Sequence, residues 1–397
     1  MKGKYKALFV LITLCILSVF SSCSNGTGEI SESDDHVKYV RGKIRFVDRL
    51  PDDVSPYDGM PGETVDYKWS AMSGNSACFS EEFTFFATEF FCFYLDGGPS
   101  KARTLCADPF CTHIWGQDNC ITSYESLEIA PVGNIIYASR MNQVMCYNME
   151  TYRFEVYAVF NENISHVFSM GRYLYIAFKS FDGDDPAVSD MYYKYIRVDT
   201  LTNSAEFLDR SESCGQIEVL NGKIYGTQDF RLTRFDSRLE EEYMLSAPYV
   251  SFYKIYGDQI YYIPRDAKRT DQLFIYDVKK GKKVCLFGDV RSFTILSDKM
   301  YVVKYDDGSY EANDGRYINK IFVYSIPSST EDKPELVQMI TPPDGYYIGS
   351  GEMSSGSNSL FFNLQKPTDS MPRYFRFYVP GGLWQDISWD HLYHEGV

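Results

Sequence analysis

VSFYKIYGDQIYYIPRDAKRTDQLFIYDVKKGKKVCLFG, residues 250–288, reads as four short strands joined by turns. Val250 to Gly257 is an inner strand and Gln259 to Pro264 is the second. Arg265 to Asp271 is a polar connection, Gln272 to Val278 the third strand, and Lys279 to Lys282 a tight turn. Lys283 to Gly288 closes the unit as an outer strand. Apolar residues alternate and the breaks fall at Gly and Asp, the pattern of half-buried strands.

The same grammar recurs along the chain, each time as a turn residue followed by an apolar residue and Tyr. It reads GNIIY from Gly133, GRYLY from Gly171, NGKIY from Asn221, GDQIY from Gly257 and SDKMY from Ser297. An internal repeat of about 40–50 residues made of short strands is the mark of a β-propeller. Units run from about Trp69 to Ala107, Ser126 to Phe160, Ile164 to Leu208, Cys214 to Ala247, Val250 to Gly288 and Val290 to Ile340, with a looser one from Gly345 to Ser388. In the first, Phe83 to Glu89 and Phe90 to Leu95 read as middle strands. The expected fold is therefore all-β: a single β-propeller of about seven four-stranded blades, with six or eight also compatible. A β-sandwich followed by a smaller propeller is the rival. VKYVRGKIRFV, from Val37 to Val47, alternates well but lies outside the count. It is predicted to pair with the last blade and hide exposed strand edges. The 16% aromatic content, with 33 Tyr and 28 Phe, suits pleated, half-buried surfaces.

The N-terminus is read separately. Lys2, Lys4 and Lys6 form a basic start, and Ala7 to Phe20 is an apolar core too short to span a hydrocarbon layer comfortably. Residues 1–22 read as an export signal and 23–36 as a polar tether, leaving 37–397 as the propeller domain. Val19-Phe20-Ser21-Ser22-Cys23 resembles the bacterial lipoprotein box, although Phe20 stands where Leu is usual. The resemblance implies lipid attachment at Cys23 and a location on the outer side of the cell membrane. The formal net charge is −15, and losing the three lysines of the signal makes it more negative. Such a chain is repelled by nucleic acid and by anionic lipid surfaces, so membrane contact is expected through the lipid.

IYGTQD (Ile224 to Asp229) and IYYIPRD (Ile260 to Asp266) are loosely similar to the Tyr-Trp-Thr-Asp propellers of low-density-lipoprotein receptors; the Tyr and terminal Asp are kept and the Trp is missing. With the lipoprotein box, the chain looks more like the exported β-propeller lipoproteins of Gram-positive bacteria. That resemblance implies a fold and a location, and carries no catalytic residue across.

Between the first two units the repeat breaks at LCADPFCTHIWGQDNC, Leu105 to Cys120. Cys106, Cys111, His113 and Cys120 are the ligand types of a closed Cys3His zinc site, though no CxxC pair is present. Export equally favours a disulfide, Cys111–Cys120 being one pairing that would staple the loop. Reduced structural thiols are the third reading. Eight cysteines remain once Cys15 and Cys23 are set aside, and Cys146 and Cys285, in strands of different units, read as small core residues. Connections between successive blades lie on the face that usually carries binding sites, so Phe110 and Trp115 are candidate recognition residues; packing over the loop is the plainer role for Trp115.

No nucleophile elbow, phosphate loop, dinucleotide fingerprint or HExxH motif is present. Only five histidines occur, which argues against acid–base chemistry, and His391 and His394 read as an exposed tail. The acidic stretches Phe181 to Asp190 and Tyr305 to Gly315 lack the spacing of a calcium loop and read as connections between second and third strands. The leading expectation is a surface-tethered, non-enzymatic module that binds an extracellular glycan, peptide or protein. A glycan-cleaving or lyase-type enzyme using scattered carboxylates and a structural envelope protein are the alternatives.

Overall fold

In the computed structural model, Val37–Val397 forms one compact unit. The structure describes the backbone of 37–60, 68–72, 75–79, 83–87, 92–96, 103–104 and 128–387, apart from 152, 182–190, 213–214, 221, 229–230, 245–249, 265–270, 306–309, 313–314, 349–352, 357 and 369–372. Among the described residues no helix is long and apolar enough to cross a membrane.

Among the described residues, seven sheets of four or five strands, each built on an antiparallel meander, follow one another along the chain. Sheet one spans 68–104, sheet two 129–160, sheet three 164–212 and sheet four 215–244. Sheet five spans 250–287, sheet six 290–340 and sheet seven 347–386. Sheet five has strands Val250–Tyr256, Gln259–Pro264, Leu273–Asp277 and Lys282–Phe287, within a residue or two of the bounds read from the repeat. Sheet six carries an extra hairpin, Tyr310–Ala312 with Gly315–Tyr317, between its second and third strands, where the acidic connection was expected. A series of four-stranded meanders is how β-propeller blades are built.

The repeated apolar-Tyr pair now has a structural meaning. Tyr137, Tyr175, Tyr225, Tyr261 and Tyr301 occupy one register: each sits on the second strand of its sheet, opposite Ala130, Phe168, Glu218, Lys254 and Thr294 of the first. Successive side chains of a strand point to opposite faces. Tyr137, Tyr175, Tyr261 and Tyr301 therefore lie in clusters shared with the following sheet, and Tyr225 packs against the next cluster in the same way. The preceding residues Leu174, Ile224, Ile260 and Met300 face the sheet before. One dipeptide thus fills two seams, which is why it repeats.

The seams run continuously from sheet two to sheet seven. Val167 and Ile176 of sheet three meet Tyr137 and Phe160 of sheet two, and Tyr175 meets Val219 and Phe235 of sheet four. Leu232 joins Val250 and Tyr262, Tyr261 joins Phe293 and Val302, and Tyr301 joins Leu360 and Phe375. In backbone position, Lys68–Met72 of sheet one neighbours both Ser354–Ser355 of sheet seven and Gly215–Leu220 of sheet four.

The structure overturns the expectation that Val37 to Val47 pairs with the last blade. Tyr39–Gly42 adds antiparallel to the outer strand Arg153–Phe160 of sheet two, and Arg45–Phe46 adds parallel to the outer strand Ser204–Glu212 of sheet three. The bend falls at Gly42, whose φ of 137° suits glycine, and an added Cβ there would stand 2.3 Å from the Tyr157 carbonyl oxygen. Beyond it the strap continues under sheet three, where Arg172 N donates to Pro56 O at 2.7 Å and Arg172 Nη1 to Asp58 O at 3.0 Å. The physical reason is proximity: the strap spends its edge hydrogen bonds on the free outer edges beside it.

Buried charge marks the place where the strap docks. Arg172 forks onto Asp199, and Arg197 pairs with Glu206, which also receives Arg238 Nη1 at 3.0 Å and Leu50 N at 2.9 Å. Arg197 stacks over the Tyr173 ring at 4.7 Å and donates to Ser237 O at 3.0 Å. These groups are spent on one another and on the strap, so they hold structure and leave little for a ligand.

Candidate functional site

All the site residues read from the sequence lie outside the described residues. These are Cys23, Cys106, Phe110, Cys111, His113, Trp115 and Cys120. The ends of the connection that holds the cluster are described: Arg103–Thr104, the last strand of sheet one, and Glu128, just before the first strand of sheet two.

Glu128 is fixed by the second strand of its own sheet. Its carbonyl accepts from Ser139 N at 2.9 Å, and its N–H reaches Ser139 Oγ at 3.4 Å. The side chain turns toward sheet three, where Oε2 accepts from Val167 N at 2.9 Å. The first strand of sheet three, Ile164–Met170, has a sheet neighbour on one side only, so N–H groups on its free edge need other acceptors. Burial disfavours the charged carboxylate more than this hydrogen bond favours it, and the Glu128 carboxyl is pushed up to about 8.

His166 is the neighbour of Val167 and points to the opposite face of the strand. Val167 enters the apolar seam with sheet two, whereas His166 meets Tyr193 and Tyr195 of its own sheet. The register explains the contact. His166 lies opposite Ala177, which lies opposite Tyr195, and the small Ala177 lets the two larger groups meet across it. His166 Nε2 and the Tyr195 hydroxyl are 3.1 Å apart, with donor and acceptor set by the tautomer. The His166 and Tyr193 rings stand edge to face at 4.8 Å. Burial brings the imidazole down to about 4, and Tyr193 is raised by burial and then by the nearby Glu128 carboxylate.

At neutral pH these three groups are uncharged: a protonated Glu128 carboxyl, a neutral His166 imidazole and the Tyr193 phenol. Glu128, His166 and Tyr193 all stay partly exposed. Among the described residues, Glu128 Oε1, His166 Nδ1 and the Tyr193 hydroxyl have no hydrogen-bond partner, and none of the three is a sealed polar atom. Three polar atoms on a partly shielded aromatic wall remain available to a ligand. The sequence signal for this site was indirect. Glu128 ends the segment where the repeat breaks, and His166 is one of five histidines, whose scarcity argued against any role.

Among the described residues no group of three His, Cys, Asp or Glu side chains is placed to hold a metal. Neither Cys146 nor Cys285 is in a disulfide. Cys146 is buried as expected, beside Glu155, and is pushed up to about 12 by burial and that carboxylate. Cys285 corrects the expectation: it is exposed, because it sits on the outer strand Lys282–Phe287, three of whose six residues are exposed.

No protein-family profile matches the chain, and no curated protein matches it. Among solved structures it is similar to an acylaminoacyl peptidase, with a TM-score of 0.46 and 12% identity over 83% of this chain and 54% of that one. It is also similar to the dihydro-heme d1 dehydrogenase NirN, with a TM-score of 0.46 and 8% identity over 85% and 75% of the two chains. A chain of the mitotic checkpoint complex gives 0.43 and 12% over 83% and 95%. The chain spans about half the length of the peptidase, 54%.

Proposed function

We propose that this chain is a surface-tethered β-propeller that acts as a non-enzymatic binding module at the cell envelope. In this reading residues 1–22 are an export signal, Cys23 carries the lipid, 23–36 is the tether, and 37–397 closes its seven sheets into one ring. Two observations support closure. Lys68–Met72 lies beside Ser354–Ser355, which brings the first and last sheets together. Phe361 of sheet seven points away from the seam with sheet six, yet it is only 3% exposed, so something beyond that seam covers it.

The observation that carries the binding reading is the uncharged junction of Glu128, His166 and Tyr193, with polar atoms left over beside the end of the connection from sheet one. Extracellular ligands reach such a site, and the net charge of −15 turns nucleic acid away. The connection from Leu105 to Cys120 belongs to the same surface in this reading: Phe110 and Trp115 add aromatic contact, and a disulfide or zinc at Cys106, Cys111, His113 and Cys120 holds the loop.

Fractionation of cells making the full chain tests the anchor. The wild type is expected with membranes and Cys23→Ala in the medium, and membrane retention of Cys23→Ala would overturn lipid tethering. Ligand capture by intact cells tests the module. Loss of capture in His166→Asn at unchanged surface level is expected. Turnover of a chromogenic glycoside that vanishes in Glu128→Gln would put the enzymatic reading ahead, with Glu128 as general acid.

A further inference from the structure

We infer that Glu128, His166 and Tyr193 form a subsite for a neutral, polyhydroxylated ligand, one sugar unit of an uncharged oligosaccharide, where sheets two and three meet. The inference rests on the binding-module reading and names its ligand class.

The chemistry of the free atoms selects the ligand. A sugar hydroxyl both donates and accepts, and so do a phenol, a protonated carboxyl and a neutral imidazole. Each of the three residues has one polar atom unspent among the described residues; the Tyr193 hydroxyl and the Glu128 O–H both donate and accept, and His166 Nδ1 does one or the other by its tautomer. Glu128 is already held through Oε2 by Val167 N at 2.9 Å, and His166 through Nε2 by the Tyr195 hydroxyl at 3.1 Å. The remaining atoms are therefore presented by side chains fixed in place, which lowers the ordering cost of binding. The edge-to-face pair of His166 and Tyr193, 4.8 Å between centroids, supplies a rigid wall with apolar area for the C–H side of a sugar ring.

Charged ligands fit worse. An anion needs a cation, and no Lys or Arg contributes to the state of Glu128 or His166. Lys179 lies opposite Tyr193 in register, but it is exposed and its ammonium sits over the Phe181 ring at 5.1 Å. The net charge of −15 opposes anions further. A cation would favour ionised Glu128, which burial resists: desolvation is the dominant influence on that carboxyl.

The test uses the full chain in detergent and calorimetric titration with four neutral probes: cellohexaose, xylohexaose, mannohexaose and maltohexaose. Oligolysine and oligoglutamate serve as charged probes. At least one neutral probe is expected to bind. Tyr193→Phe, which removes only a hydroxyl, should weaken it by about three- to tenfold. His166→Asn should weaken it by about tenfold or more. Glu128→Gln, whose free amide nitrogen donates but cannot accept, should weaken it by about threefold at neutral pH. As pH rises past about 8, the wild type should lose affinity, and Glu128→Gln should not. Melting temperatures of the three variants establish that each is folded. Binding by none of the neutral probes overturns the ligand class, as does a neutral probe indifferent to both Tyr193→Phe and His166→Asn. Oligolysine binding lost in Glu128→Gln, or oligoglutamate binding lost in Lys179→Ala, overturns the ligand class while leaving a binding module. Glycoside turnover dependent on Glu128 overturns the module itself.

Discussion

Two neighbouring seams are built from the same repeat and solved differently. Between sheets two and three the contact is mostly apolar, with Phe160, Leu174, Ile176 and Phe178 sealed together and polar links such as those of Val167 N to Glu128 and of Ser169 Oγ to Pro131 O. Between sheets three and four, Tyr173, Tyr175 and Phe235 share the space with Arg197 and Glu206, which are 1% and 0% exposed. Both seams take in the strap, but by different means. Val37 and Ile44 pack into the first through apolar contact, and Glu206 of the second accepts the N–H of Leu50. An apolar seam needs only complementary volume, whereas a buried ion pair needs each charge answered.

Breaking the charged seam should have the largest effect. Glu206→Ala removes the carboxylate that Arg197 pairs with, while Arg238 keeps Asp52 and Glu240, and is expected to cost about 3–5 kcal/mol in urea unfolding. A cost near that of an exposed ion pair would show that water reaches the site.

The next effect is a pH dependence at the junction between the two seams. Glu128 is held at about 8 in the folded chain against an ordinary 4.5. Between these values the folded state keeps a proton that the unfolded chain has released. The full stability is therefore present below about 4.5 and declines as pH rises toward about 8. His166, held at about 4 against 6.5, acts in the opposite sense, and its contribution is lost as pH falls through that window. Melting curves of Glu128→Gln should lack the alkaline decline, and a decline equal to the wild type's would assign it elsewhere.

A one-carbon probe sharpens the apolar seam. Ile176→Val removes a methylene from a fully buried side chain and should cost about 1 kcal/mol. A cost above about 2 kcal/mol would mean that this seam is packed too rigidly to relax. The smallest effect is expected at the strap's exposed pair. Lys43→Ala, opposite Glu155 with both side chains about half exposed, should change stability by about 0.5 kcal/mol or less.

The repeat made much of the fold legible. The bounds of the four strands in 250–288 follow from alternation and turn residues, because hairpin pairing is local and turn chemistry is written in the chain. The strap was legible as a strand but not as to its partner: alternation shows that a segment seeks an edge and does not say which edge is free and near. Cys285 fails for a related reason, since its outer strand has the same period as an inner one but a more exposed face. The candidate junction was the least legible part. Glu128 belongs to one sheet, and His166 and Tyr193 to first and third strands of the next. Only Ala177, opposite both His166 and Tyr195, lets that histidine reach its partner.

By itself the sequence determined the blade unit, its count of strands and the two-faced dipeptide that packs it, because these depend on a period of two and on turns a few residues long. The tertiary structure decided where the strap docks, which charges are buried, and which uncharged polar groups meet beside the break in the repeat. Those outcomes depend on which edges and faces come together in space, and no local pattern encodes that.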